Sequence, residues 1–233
     1  YKFTQNHNAF FNAGYFTRAP YFNTVFPNNT IEINNGAPYE KIITFELGYG
    51  FSTENINVAL NGYYTRWNDK SLKRTIAQET ANITGLDAVH YGVELEATYK
   101  PVSTLELKGM FSWGDWKWSD DVNFTMYNEN NEPIGTYNAY VKDLHVGNSA
   151  QMTAAFSLGW EVFKGVKIYA DYNYAGKNYA DFDPSNRTEK KDSGIDAWKL
   201  PDFYTIDLGM NYKFNISKNV KGTLYVNVNN LTN

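Results

Sequence analysis

The sequence predicts an all-β chain, part of a transmembrane antiparallel up-and-down β-barrel that these 233 residues do not complete. Three observations predict it. Apolar and polar residues alternate over long stretches. The connections between those stretches alternate short and long. No apolar run approaches the roughly 18 residues of a membrane-crossing helix, so any crossing is made by strands.

Residues 86–99 show the alternation most fully. Val89, Tyr91, Val93, Leu95, Ala97 and Tyr99 share one face; Ala88, His90, Gly92, Glu94, Glu96 and Thr98 share the other. Successive side chains of a strand point to opposite sides, so one face is apolar and the other polar. A tilted membrane strand needs about 9–11 residues, longer than the usual soluble strand.

The same pattern recurs in order. In residues 8–18, Ala9, Phe11, Ala13 and Tyr15 oppose Asn8, Phe10, Asn12 and Gly14, with bulk on both faces. Residues 41–52 set Ile43, Phe45, Leu47, Tyr49 and Phe51 against Thr44, Glu46, Gly48 and Gly50. Residues 55–67 set Ile56, Val58, Leu60 and Tyr64 against Asn57, Ala59, Asn61 and Thr65. After 86–99, residues 104–113 set Leu105, Leu107, Phe111 and Trp113 against Glu106, Lys108 and Ser112. Further strands are expected at 151–162, 166–174, 202–214 and 220–229, which makes nine.

The turns near 53–55, 101–103, 164–165 and 215–219 are short. Lys164-Gly165 is a two-residue hairpin turn whose glycine supplies the positive φ such turns need. The connections near 19–40, 68–85, 114–148 and 175–199 are long and polar. Outer-membrane barrels place short turns in the periplasm and long loops outside, so odd strands run outward. The whole of 1–233 then belongs to one barrel domain. Nine strands cannot close alone, because single-chain bacterial barrels have even counts and an open edge in lipid leaves backbone groups unpaired.

Composition agrees. Mean hydropathy is −0.53, as expected when only alternate residues face lipid. Tyr (19), Phe (15) and Trp (6) exceed what a core uses and suit a lipid-facing girdle. A net charge of −4 gives no basic surface for nucleic acid. The absence of cysteine excludes disulfides, thiolate metal sites and thiol catalysis. The opening Tyr1-Lys2-Phe3-Thr4 is no signal peptide, so a leader was cleaved or the chain starts within a longer protein. The polar faces carry His90, Glu94, Glu96, Asp171 and Asp207, which a wet or protein-filled lumen accommodates and lipid does not.

No residue set points to catalysis, a metal or a cofactor. His7, His90 and His145 lack ligand spacing. Glu94 and Glu96 lie about 7 Å apart by strand rise, a separation paired carboxylates use in glycoside hydrolysis, but lumen lining explains them more simply. The run Asp181-Phe182-Asp183-Pro184-Ser185-Asn186 lacks the spacing of a calcium loop. Trp113 reads as a girdle residue. Trp116 and Trp118 fall beyond the regular alternation, where they can stack a ligand or pack among loops.

Several stretches together carry a family resemblance. Gly14-Tyr15-Phe16-Thr17-Arg18-Ala19-Pro20, then Glu40-Lys41 with Phe45-Glu46-Leu47-Gly48-Tyr49, then Tyr63-Tyr64-Thr65-Arg66-Trp67-Asn68-Asp69-Lys70, run in the order of the TonB-dependent outer-membrane receptor barrel. Residues 85–99 and 226–233 resemble that family's next and near-terminal elements. Gly36-Ala37-Pro38-Tyr39 departs from its usual Leu-x-Pro, and the last strand is absent. The Asn- and Tyr-rich style resembles receptors of Bacteroidetes-type Gram-negative bacteria. The resemblance implies strands thirteen to twenty-one of a 22-stranded barrel with a lumen plug. It implies import of a siderophore, haem, vitamin, peptide or glycan, with ligand contacts at Arg18, Trp67, Trp116 and Trp118. Implied partners are outer-membrane lipid, the TonB complex acting through an N-terminal plug, a small ligand and, in some relatives, a surface lipoprotein. A passive porin or export channel, and a soluble β-sandwich that binds or hydrolyses carbohydrate, are the competing expectations.

Overall fold

The computed structural model describes residues 1–26, 31, 33–34, 36–76, 79–130 and 132–232. Eleven strands form one antiparallel sheet. They are β1 (His7–Arg18), β2 (Glu40–Ser52), β3 (Ile56–Ile76), β4 (Glu79–Val102), β5 (Leu105–Trp118), β6 (Val122–Tyr127), β7 (Pro133–Ala139), β8 (Met152–Phe163), β9 (Val166–Gly176), β10 (Phe203–Asn215) and β11 (Lys221–Val228). Nine pair in sequence order, β1-β2-β3-β4-β5-β8-β9-β10-β11, and form a curved wall whose ends do not meet. A β-sandwich requires a second sheet; all described strands belong to this one.

The register joins the alternating faces into rows. One row runs Ala9–Tyr49–Leu60–Leu95–Phe111–Ala154–Tyr174–Tyr204. Its larger members stay exposed, Leu95 at 40%, because no second layer covers them. The adjacent row on the opposite face runs Phe10–Gly48–Asn61–Glu94–Ser112–Thr153–Ala175. The wall strands therefore keep a mainly apolar side on one face of the wall and a mainly polar side on the other, with Phe10 and Phe16 of β1 adding bulk to the polar face. A one-residue slip would invert both faces, so the burial requirement fixes the register.

Two long spans expected as loops contain strand. β3 and β4 continue past the wall through most of 68–85, pairing Leu72 with Ile83 and Ile76 with Glu79. The span 114–148 contains the β6–β7 hairpin, and β6 pairs with the outer part of β4. Buried positions make the reason plain. Ala81 and Ile83 on β4, and Val122, Phe124 and Met126 on β6, alternate as strands do, and together with Leu86 they face one another in a separate core. Val141, Leu144 and Phe182 close it. This cap holds the buried apolar residues of the chain among those described, whereas the wall has no core of its own.

Cap and wall meet where the β3–β4 ladder slips, between Trp67 and Lys70 and again between Lys70 and Leu72. Asp69 there adopts φ 61°. That left-handed geometry is tolerated by Asp, and the Asp87 carboxylate accepts from the Asp69 N–H at 2.9 Å and from Asn68 Nδ2 at 2.6 Å.

Candidate functional site

The joint between wall and cap is also where the functional candidates gather. Glu40, the first residue of β2, is 1% exposed. A buried carboxylate survives only if its oxygens are satisfied. Arg18 Nη2 reaches Oε2 at 2.6 Å, Trp67 Nε1 donates to the same oxygen at 3.0 Å, and the Ser71 N–H donates to Oε1 at 3.3 Å. Glu40 thus holds two of the four candidate residues, Arg18 and Trp67, in one cluster. The Arg18 guanidinium also lies over the Tyr21 ring at 4.4 Å. Sequence reasoning passed over Glu40 because a strand-end carboxylate next to Lys41 reads as surface charge.

A second knot lies one row deeper. Gly92 and Gly114 are register partners on the inward face, and the Tyr63 side chain crosses both. A Cβ at Gly92 would stand 2.6 Å from the Tyr63 hydroxyl, so glycine is needed there for this close approach. Trp116 Nε1 donates to that hydroxyl at 2.8 Å. Gln151, almost fully buried, fixes the Trp116 backbone: its Oε1 accepts from the Trp116 N–H at 2.9 Å, and its Nε2 donates to the Trp116 carbonyl at 3.0 Å. The His90 ring lies 5.6 Å from that of Trp116.

Trp67, Lys70, Tyr63, His90, Glu94 and Trp116 line one open concavity of about 540 Å³ on the inward face. Lys70 Nζ sits 4.0 Å from the Trp67 ring centroid, a cation–π contact. The site therefore offers two indoles, a phenol, an imidazole and a cation above a carboxylate. It can stack flat or apolar groups and hydrogen-bond acceptors at its upper rim.

Trp118 goes elsewhere. The alternation expected to stop at Trp113 runs on through Gly114, Trp116 and Trp118, because β5 extends to Trp118. Trp118 is 2% exposed, edge-on to Phe182 at 5.8 Å. Burial in the cap core closes it to a ligand, so of the two readings open for it, stacking a ligand or packing among loops, its position is that of packing. Glu96 lies two residues further inward on β4, beside Lys108 in a separate hollow of about 220 Å³. Asp171 and Asp207 face each other in register on β9 and β10, away from the concavity. Asp207 Oδ1 accepts from the Asn230 N–H at 2.6 Å.

On the outside of the joint, His145 bridges three segments. Its Nε2 is 3.2 Å from Asp115 Oδ1, its Nδ1 is 2.8 Å from Asp196 Oδ2, and its ring stacks on Tyr179 at 4.3 Å. Burial pushes the Tyr179 hydroxyl pKa up. This cluster ties the connection after β9 to the end of β5. Among the described residues no group of His, Cys, Asp and Glu has the geometry to hold a metal ion.

Comparison with known proteins follows from this geometry. A family model described as TonB dependent receptor-like, beta-barrel matches residues 1–231. The copper transporter OprC superimposes with a TM-score of 0.65 at 18% identity, over 97% of this chain and 31% of its own. The ferric yersiniabactin uptake receptor FyuA from Yersinia pestis gives 0.65 at 17%, over 99% and 30%. The ferric enterobactin receptor PfeA from Pseudomonas aeruginosa gives 0.65 at 15%, over 100% and 34%. The chain thus spans about a third of the length of these structures. No curated protein matches it. Among the described residues no helix is long and apolar enough to cross a membrane.

Proposed function

Because this chain belongs to the TonB-dependent receptor β-barrel family, we propose that it forms the wall and outer cap of an importer for a scarce small ligand. That family is one of outer-membrane transport receptors. The longer protein is a 22-stranded barrel whose plug, outside residues 1–233, is worked by the TonB complex. The cap faces the outside, and the ligand enters past Arg18, Trp67 and Trp116 into the upper lumen. The inward face, with His90, Glu94, Glu96, Asp171 and Asp207, meets water and the plug.

One observation carries this reading: the joint preorganises Trp67, Lys70, Tyr63 and Trp116 round a single open concavity on the lumen side. Hydrogen bonds to Glu40 and Tyr63 fix both indoles before any ligand arrives, which lowers the ordering cost of binding. Copper, ferric yersiniabactin and ferric enterobactin are named for three structural relatives, so metal and metal chelates head the ligand classes to test.

The test uses the full-length receptor in its own outer membrane. Metal chelates, haemin, cobalamin and oligosaccharides are screened for uptake with and without an intact TonB complex. Energy-dependent uptake of one class is expected, with Trp116→Ala weakening binding about tenfold, roughly 1.4 kcal/mol. Unselective ion conductance by the full-length protein, independent of TonB, would replace this reading with a passive channel.

A further inference from the structure

The connection after β9, residues 177–202, is fastened to both regions of the molecule. Its middle belongs to the cap. Phe182 lies in the cap core, Pro184 is buried, and the Tyr140 N–H donates to the Arg187 carbonyl at 2.8 Å. Its two ends lie against the apolar face of the wall. Lys177 Nζ sits 5.1 Å from the Trp113 ring centroid, and the Lys177 N–H donates to Asp202 Oδ1 at 3.3 Å. Asp202 also accepts from the Tyr174 hydroxyl, and Lys199 Nζ lies 3.7 Å from its carboxylate. Asp196 reaches Asp115 of β5 through the His145 ring.

These fastenings set a height. Trp113 and Tyr174 are the last large apolar residues on their face of β5 and β9; Asp115, in register with Tyr91, and Gly176 follow them. The apolar band of the wall therefore ends at Trp113 and Tyr174, and residues 195–202 are held beside that edge. Aromatic side chains with a polar end collect at this layer of membrane proteins, where hydrocarbon gives way to headgroups.

Ile195 and Trp198 have nothing over them there. Trp198 is 72% exposed, more than Trp160 on the apolar face of β8 at 44%, and Ile195 is 59% exposed. Lys199 pairs with Tyr179 in an antiparallel bridge, and the Tyr179 ring stacks on His145. Neighbouring side chains of an extended segment point to opposite sides, so Trp198 turns away from His145. Large apolar groups left uncovered beside one another mark a contact surface. Charge does not select the partner: residues 177–202 carry five Lys and Arg against six Asp and Glu.

We propose that Ile195 and Trp198 insert into the outer leaflet of the membrane, so that the connection after β9 is a strut between the bilayer and the cap. Lipid is the occupant because this surface continues the apolar band of the wall past Trp113 and Tyr174, on the opposite face from the concavity that holds Trp67 and Trp116. The cap then takes its height and tilt from the bilayer as well as from β3 and β4. This placement needs the outer-membrane setting of the family but neither a plug nor a ligand, so it holds for an importer and for a passive channel alike.

The experiment reconstitutes the full-length protein into phosphatidylcholine vesicles, plain or brominated near the top of the acyl chains. Tryptophan emission is compared with that of Trp198→Phe and Trp160→Phe, and folding of each is checked by heat-modifiable mobility. The emission lost in Trp198→Phe should be quenched about twofold by the brominated lipid, whether or not aqueous iodide also reaches the edge of the indole. The emission lost in Trp160→Phe, from the apolar face of the wall, should be quenched by bromine as well. A Trp198 component that only iodide reaches, with Trp160 quenched by bromine, puts Trp198 in water; it overturns the inference and leaves the barrel reading standing. A Trp198 component that neither quencher reaches is covered by protein, whether a second copy or another loop of the longer chain, and also overturns the inference. Absence of bromine quenching at Trp160 overturns the barrel reading and the inference together.

Discussion

The wall and the cap are made from the same strands, yet they are held together differently. In the wall, Leu95 stays 40% exposed and Glu94 beside it takes the opposite, polar face. In the cap, Leu86 on the same strand is fully buried. Nine residues along β4, a leucine passes from the uncovered face of the wall to a closed protein core. The wall draws its stability from hydrogen-bonded ladders and the match to a bilayer, and the cap from close packing in water. The lesson is that an alternating pattern specifies a strand with two unlike faces, but not what covers the apolar one.

Four perturbations test that contrast, from the largest expected effect to the smallest. Ile83→Ala or Leu144→Ala should cost the cap about 2–5 kcal/mol, because each opens a cavity in a closed core. Limited proteolysis on intact cells should show cleavage within 119–150, with the heat-modifiable barrel unchanged. Loss of the barrel as well would mean that the two regions fold as one unit. Leu95→Arg should cost about 2–4 kcal/mol at the lipid midplane and deplete the protein from the outer-membrane fraction. Glu94→Gln, one residue away on the lumen face, should insert normally, and the reverse result would show the faces to be exchanged.

Glu40→Gln acts at the joint. It leaves the Arg18 and Trp67 donors poorly matched, at a cost of about 1–3 kcal/mol. A red-shifted, more quenchable Trp67 emission is expected, read against a Trp67→Phe control, without loss of insertion. Unchanged emission would show that Glu40 does not position the indole. The smallest effect concerns Asp202, just beyond the wall at the start of β10. The Tyr174 hydroxyl donates to it at 2.7 Å, and with Lys199 3.7 Å away its carboxyl is held below the ordinary carboxylate range. A depressed folded-state pKa contributes stability above the unfolded value near about 4, and that contribution disappears as pH falls through the folded value. Protease sensitivity of the 177–202 connection should therefore rise only below about pH 4, and Asp202→Asn should remove the pH dependence. Sensitivity unchanged between pH 7 and about pH 3 would show that the Asp202 carboxylate does not hold this connection.

Much of the wall was legible in the sequence. The alternation placed all nine wall strands, because unlike surroundings on the two sides of a barrel wall impose a period of two, most weakly in β1, where Phe10 and Phe16 add bulk to the polar face. The cap was not legible in the same way. Val122, Phe124 and Met126 alternate with Asn123, Thr125 and Tyr127, a strand signal present inside a span that read as loop. Loop lengths in barrels vary, so nothing local distinguished a folded hairpin from a polar excursion. Trp118 fell beyond the alternation read from the sequence, and the core that buries it is assembled from β4, β6 and residues 139–144. The burial of Glu40 and Gln151 gave no signal, although Glu40-Lys41 helped carry the family resemblance, since a buried polar residue is recognised by its donors and acceptors, which come from other strands.

The slipped ladder at Trp67–Lys70–Leu72 has a mechanical consequence. β3 and β4 run unbroken from the short-turn end to the tip of the cap, and a two-stranded ribbon of that length behaves as a stiff beam. A beam bends where its cross-links are offset, and the offsets lie within three residues of the Glu40 cluster and the Trp67 ring. A load that tilted the cap would therefore be concentrated at this joint, beside the Trp67 indole and the Glu40 carboxylate that holds it. The coupling between the two regions thus sits at the root of the cap rather than at its tip.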